Sequence, residues 1–168
     1  MGHQDDTKAF LKHINECEGI LQKICRLYYD HPADREDLYQ DILLNAWKSF
    51  ASFRGDAKFS TWLYQVGINT AMSKLRKKPI VVIPDEPTEK ALEMDEERGR
   101  DNADDLVLLY KALHQLSGTD KTIALLYLDE LSYREIAVIT GLAEANVGMR
   151  ISRVKEKLKK LLLKYGIS

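Results

Sequence analysis

Scarcity bounds this chain before any motif does. Only two of its 168 residues are cysteine, which excludes a disulfide framework and fits reduced thiols. His13 and Cys17 stand four apart on a predicted helix, a spacing that permits a metal pair. No further ligand lies at zinc spacing, so small buried hydrophobes account for Cys17 and Cys25, and neither metal nor cofactor is expected. No apolar run nears the ~20 residues of a membrane span, and the N-terminus, MGHQDDTK, lacks the apolar stretch of a signal peptide. A cytoplasmic protein without membrane insertion is the expectation. H-E-x-x-H, P-loop and Ser-His-Asp patterns are all missing, and the acids that would hold Mg²⁺ (Asp37, Asp41, Asp129, Glu130) are scattered or fit an ordinary surface. An enzyme is therefore not expected. Strand pattern is absent except in the short PIVVIP, too brief to build a sheet.

Net charge is lacking too, at −1 overall, but the total hides its distribution. Residues 1–78 hold 12 basic and 10 acidic side chains, residues 79–105 hold 3 and 10, and residues 106–168 hold 10 and 6. Two basic blocks thus flank an acidic segment, an asymmetry that points to nucleic acid despite the neutral sum. Three of the four prolines (Pro79, Pro84, Pro87) open that acidic segment and disfavour helix. The run that follows, DEPTEKALEMDEERGRDNADD, is too poor in large apolar groups to pack and reads as a mobile linker. Helical periodicity prevails on either side. It predicts helices over 10–29, 35–50 and 59–77, then over 106–116, 120–129, 133–140 and 144–165. The fold class is all-α: a domain over 1–78, an acidic linker over 79–105 and a second domain over 106–168.

The sharpest local signal lies in LSYREIAVITGLAEANVGMRISRVKEKLKKLL. A short helix ends at Gly141, and the turn Gly141, Leu142, Ala143 leads into a longer helix. That is the layout of a helix-turn-helix, whose second helix enters the major groove. On the second helix Val147, Ile151, Val154, Leu158, Leu161 and Leu162 fall within a ~100° arc and form the packed face. Asn146, Arg150, Arg153, Lys157, Lys160 and Lys164 occupy a neighbouring arc. Residues 143–165 carry seven basic and two acidic side chains. A solvated basic face would explain that arc alone; the preceding helix, glycine and turn favour DNA binding.

In the first half, SFRGDAKFSTWLYQVGINTAMSKLRKK runs from a charged loop into a helix. Two apolar stripes, Phe59/Leu63/Val66/Thr70 and Tyr64/Ile68/Ala71/Leu75, would be packed on two sides. Between them Trp62, Gln65, Asn69, Ser73 and Arg76 recur at spacings of three and four. One aromatic, two amides, a hydroxyl and an arginine in file suit unstacked bases, with Arg54, Lys58, Arg76 and Lys77 available to phosphates. A core tryptophan and a basic helix C-terminus would explain the same residues. The preceding helix, DREDLYQDILLNAWKSF, has an apolar side (Leu38, Ile42, Ala46, Phe50). Its opposite side (Asp37, Gln40, Asp41, Leu44, Asn45, Lys48) suits either solvent or a protein partner.

With these residues in view, DREDLYQDILLNAWKSFASFRGDAKFSTWLYQVGINTAMSKLRKK resembles region 2 of the extracytoplasmic-function (ECF) sigma factors of bacterial RNA polymerase. LSYREIAVITGLAEANVGMRISRVKEKLKKLL resembles their region 4. The two stand in the family's order, with its characteristic lack of a domain between them. The resemblance implies that the chain binds core RNA polymerase and promoter DNA, and it allows an anti-sigma factor as a further partner. The DLYQD helix would dock on the clamp coiled coil of the largest subunit through Asp37, Gln40 and Asp41, with Leu38 and Leu44 beside them. The second half would meet the flap of the second-largest subunit.

The FRGDAK loop, flanked by Phe53, would capture a base flipped from the −10 element. Asn69 and Ser73 would hold that base and its neighbour, and Trp62 would stand at the melting edge. In region 4, Gly148, Met149, Ser152 and Arg153 would face the −35 element, with Arg150 and Lys157 on phosphates. One departure stands out: relatives commonly carry Thr-Val-Lys-Ser-Arg where this chain has Asn146-Val147-Gly148-Met149-Arg150. The rival reading is a stand-alone helix-turn-helix regulator that binds operator DNA, which leaves the Trp62 ridge unexplained.

Overall fold

A computed structural model describes residues 2–77 and 100–166. Among them the chain forms eight α-helices and no strand, as the periodicity predicts. They are α1 (His3–Glu16), α2 (Glu18–Tyr28), α3 (Pro32–Ser49), α4 (Phe59–Lys77), α5 (Arg100–His114), α6 (Gly118–Leu128), α7 (Tyr133–Thr140) and α8 (Glu144–Lys164). A 3₁₀ turn, Phe50–Ser52, follows α3. The helices divide into two compact units, α1–α4 and α5–α8.

In the first unit the expected helix over 10–29 is two helices. Cys17, at φ −114° and ψ 17°, closes α1, and its N–H donates to the carbonyls of both His13 (3.2 Å) and Ile14 (3.1 Å). The apolar pattern of Phe10, Ile14, Leu21 and Ile24 keeps its helical spacing across the break, so periodicity carries no sign of it. Gly19, a weak helix former, is the one local hint. The helix α3 starts at Pro32 rather than at Arg35; a proline at the first helical position has no donor to lose and a φ already suited to helix.

The core of this unit is built from Leu21, Ile24, Leu27, Leu38, Ile42 and Leu63, all at 0% exposure. Each such side chain contributes about 1.5–3 kcal/mol relative to leaving it in water. At Gly67 the helices come close. A Cβ there would stand 2.7 Å from Ile24 Cδ1 and 3.7 Å from two methyls of Ile42. Two polar contacts also join α3 and α4: Asn45 Nδ2 donates to Thr70 Oγ1 at 3.0 Å, and Lys74 Nζ donates to Asp41 Oδ2 at 2.7 Å. That bond to Asp41 pushes the Lys74 ammonium pKa up, against its partial burial. Burial also pushes the Cys25 thiol up to about 11, so it behaves as a core hydrophobe.

In the second unit α8 packs against α5, α6 and α7, over a core of Leu113, Ile123, Leu126, Ile136, Val147 and Ile151. The α5 helix begins at Arg100, six residues ahead of the expected start, so the end of the expected 79–105 linker is helical. Acidic composition misled there, because carboxylates are favoured near a helix N-terminus. The rest of that segment, with PIVVIP, lies outside the described residues.

Two helix starts use serine. Ser117 Oγ accepts from the Asp120 N–H (3.4 Å), and Ser132 with Glu135 forms a reciprocal capping box at α7 (3.1 and 2.9 Å). Between α6 and α7, Glu130 has φ 62°, a conformation usual for glycine. Its N–H donates to the Tyr127 carbonyl and the Leu131 N–H to the Leu126 carbonyl, so a glutamate fills the glycine position of a Schellman cap.

Candidate nucleic-acid interface

The helix-turn-helix has the layout expected from sequence. The α7 helix ends at Gly141, φ 75°, whose N–H donates to the Ala137 carbonyl at 2.9 Å. The turn Gly141–Ala143 then feeds α8. Val147, Ile151, Val154 and Leu158 are buried, while Leu161 and Leu162, expected in the same stripe, are half-buried. On the outward side Asn146, Met149, Ser152 and Arg153 are exposed, Met149 at 59%. Ser152 Oγ donates to the Gly148 carbonyl at 3.3 Å, leaving its lone pairs outward.

Two features of this helix escaped sequence reasoning. Tyr133, the first residue of α7 and 45% exposed, lies beside Gly148: a Cβ on Gly148 would meet its ring at 3.4 Å. Asp120 of α6 faces both Arg150 (Nη1 to Oδ1, 3.7 Å) and Lys157 (Nζ to Oδ2, 3.1 Å). The two cations assigned to phosphates are thus already engaged. Their position on the helix, at the edge of the packed face, was the available signal.

In the first unit the loop from Phe53 to Lys58 joins the 3₁₀ turn to α4, and Gly55 takes φ 78° within it. Beneath the loop lies an aromatic group. The Trp62 ring has the Phe59 and Phe53 rings at 5.3 and 5.4 Å, and Phe50 at 6.5 Å. Phe10 adds edge contacts to Trp47 (5.2 Å) and Phe50 (5.3 Å). His13 stacks on Phe59 at 4.6 Å rather than pairing with Cys17, and among the described residues no three His, Cys, Asp or Glu gather as for a metal. Trp62 is consequently half-buried, part core and part surface, which joins the two readings its sequence position left open.

Along α4 the outward file is intact at its C-terminal end. Asn69, Ser73, Arg76 and Lys77 are exposed, Gln65 is half-buried, and Arg54 and Lys58 are exposed within the loop. Lys74, outside that file, pairs with Asp41.

On α3 the residues Asp37, Gln40 and Leu44 are exposed, Leu44 at 51%, and Asp41 is half-buried with one oxygen bonded to Lys74. Leu38 is different. At 0% exposure it belongs to the core and cannot touch a partner. Its grouping with the docking residues is corrected: it sits one residue past Asp37, 100° around the helix, on the Ile42–Ala46 side.

Comparison with known proteins matches each half of the chain to one region of a single family. Residues 13–79 match the family model of sigma-70 region 2, and residues 106–158 match that of sigma-70 region 4. The ECF RNA polymerase sigma-E factor of Haemophilus influenzae is 31% identical, over 93% of this chain and 88% of its own length. The chain belongs to the ECF sigma factors. A further relative of this sigma factor is SigW of Bacillus subtilis, 30% identical over 94% of this chain and 90% of its own. In fold it is similar to RpoE of Bartonella quintana, solved with the anti-sigma factor NepR: TM-score 0.72, 24% identity, 92% of this chain and 97% of that one. CnrH, solved with the cytosolic domain of CnrY, superposes at TM-score 0.68 with 23% identity.

As an alternative sigma factor the protein directs RNA polymerase to its promoters, and a stand-alone regulator is not favoured, because both regions are present in the family's order. No helix among the described residues is long and apolar enough to cross a membrane.

Proposed function

We propose that this sigma factor carries no catalytic site of its own and works in the cytoplasm as a polymerase subunit with four contact surfaces. The outer side of α3 (Asp37, Gln40, Asp41, Leu44) docks on the clamp coiled coil of the largest subunit, and the α5–α8 unit meets the flap of the second-largest. The α8 surface formed by Asn146, Gly148, Met149, Ser152 and Arg153 reads the −35 duplex, with Met149 suited to a thymine methyl and Arg153 to a guanine edge. The 53–58 loop and the α4 file from Trp62 to Lys77 melt the −10 element and capture its bases.

The observation that carries this reading is the pairing of two unlike surfaces in one chain. One is an exposed helix start suited to a groove. The other is an exposed amide–hydroxyl–cation file beside a half-buried aromatic group, suited to single strands. Extruding a base costs a few kcal/mol, so a loop that holds it biases the duplex toward opening. The structures of RpoE with NepR and of CnrH with CnrY support an anti-sigma factor as a third partner. Co-purification with core polymerase tests the proposal: a one-to-one complex at low salt is expected, and an intact chain that fails to bind core would contradict it.

A further inference from the structure

Asp120 is an odd residue to find under a DNA-binding helix. It lies at the start of α6, its side chain only 14% exposed, and its two oxygens face Lys157 and Arg150 of α8 at 3.1 and 3.7 Å. Those two cations are seven residues apart, two turns along the same edge of the helix, and remain 58% and 42% exposed. One carboxylate thus spans the two basic groups best placed to follow a phosphate backbone, beside the outward-facing Arg153. Asp120 also does not need its charge to cap α6, because the capping bond runs from its main-chain N–H to Ser117 Oγ.

We infer that Asp120 is a built-in competitor of the phosphate backbone: it holds Arg150 and Lys157 against α6 and restrains the sequence-blind part of duplex binding by this domain. The inference rests on the proposed reading of α8 as the −35 surface. Two cations facing one carboxylate present a net single positive charge to DNA, and both must give up Asp120 to bind phosphates fully. Each phosphate neutralised contributes about −0.9 to the slope of log K against log salt, equivalent to about eight-fold in affinity at 0.1 M salt. A chain with that contribution withheld is held less by random duplex DNA. It depends more on tethering through polymerase, where effective concentration substitutes for affinity. The base-reading residues Met149 and Arg153 lie outside the triad, so base discrimination is untouched.

The test uses the full chain and fluorescence anisotropy with two short duplexes, one bearing a −35 sequence and one scrambled, across a salt series. Asp120→Asn should bind both duplexes about eight-fold tighter at 0.1 M salt and steepen the salt slope by about one unit. Lys157→Gln, at an exposed position, completes the cycle. In the Asp120→Asn background it should remove most of the gain, whereas in the native background it should cost clearly less. Should Asp120→Asn melt early, Asp120→Ser repeats the measurement with the same capping N–H. Unchanged or weaker binding with an unchanged slope would make Asp120 a mere tie between α6 and α8 and overturn the inference. The underlying reading fails separately: if neither Arg150→Gln, Lys157→Gln nor Arg153→Ala alters binding to either duplex, α8 is not the DNA surface.

Discussion

Replacing Gly148 by alanine should make the protein more stable and a poorer reader of DNA. Gly148 is the fifth residue of α8, an interior position where glycine costs about 1 kcal/mol relative to alanine. Nothing inside the protein repays that cost. A Cβ there would meet Tyr133 Cε2 at 3.4 Å and Cδ2 at 3.7 Å, ordinary contact distances against a ring that is 45% exposed and has room to shift. Contrast Gly67, whose Cβ would stand 2.7 Å from the fully buried Ile24. The expected gain for Gly148→Ala is therefore about 0.5–1 kcal/mol. Amide hydrogen exchange along α8 reads this directly, as a rise in protection of up to about five-fold. Trp47 and Trp62 both belong to the α1–α4 unit, so tryptophan fluorescence melting supplies an internal control. If backbone approach to the groove is the reason for the glycine, the stabilised variant should bind −35 duplex about five-fold more weakly, roughly 1 kcal/mol. A destabilised variant would show that the Tyr133–Gly148 contact is rigid and needed. A stabilised one with unchanged DNA binding would show that the glycine serves neither role.

Further outcomes are expected elsewhere. Glu130→Gly relieves a left-handed residue at the Schellman cap and should stabilise the α5–α8 unit by about 1 kcal/mol, measured by denaturant melting; a loss of stability would refute the cap. Gln40→Ala and Leu44→Ala should weaken binding to core polymerase without loss of fold. Leu38→Ala should instead unfold, at a cost of about 2–5 kcal/mol, because it empties a fully buried site. Asn69→Ala should impair promoter opening more than closed-complex binding. Permanganate reactivity of the −10 region separates the two steps, and normal reactivity would move the pocket elsewhere. Phe53→Ala carries an extra structural cost, since its ring contacts Phe50, Phe59 and Trp62, so its melting temperature must be measured alongside.

Helix existence and the helix-turn-helix were legible because long apolar periodicity and a glycine stop carry a strong local signal. The bounds of α4 and α7 coincide with the periodic runs. What escaped depends on contacts between elements. The break at Cys17 leaves the apolar spacing untouched, and the α5 start is hidden inside acidic composition. Leu38 is a different case: periodicity puts it on the apolar side of α3, where it is buried, and only the resemblance groups it with its neighbour Asp37. The pairs Asp41–Lys74 and Asp120–Lys157 link residues 33 and 37 apart in sequence, and no local pattern announces them. Trp62 was legible as a ridge residue but not as a member of an aromatic group, since Phe10 and Trp47 join that group from other helices.

The central claim, that this ECF sigma factor gives core polymerase its promoter choice through these two surfaces, is tested most directly by run-off transcription. Core polymerase from the same source, supplied with genomic promoter fragments, should start at a defined set of sites only when the chain is present. Arg153→Ala and Asn69→Ala should each abolish most of that signal while still binding core. Transcripts that appear equally without the chain, or that survive both substitutions, would contradict the account.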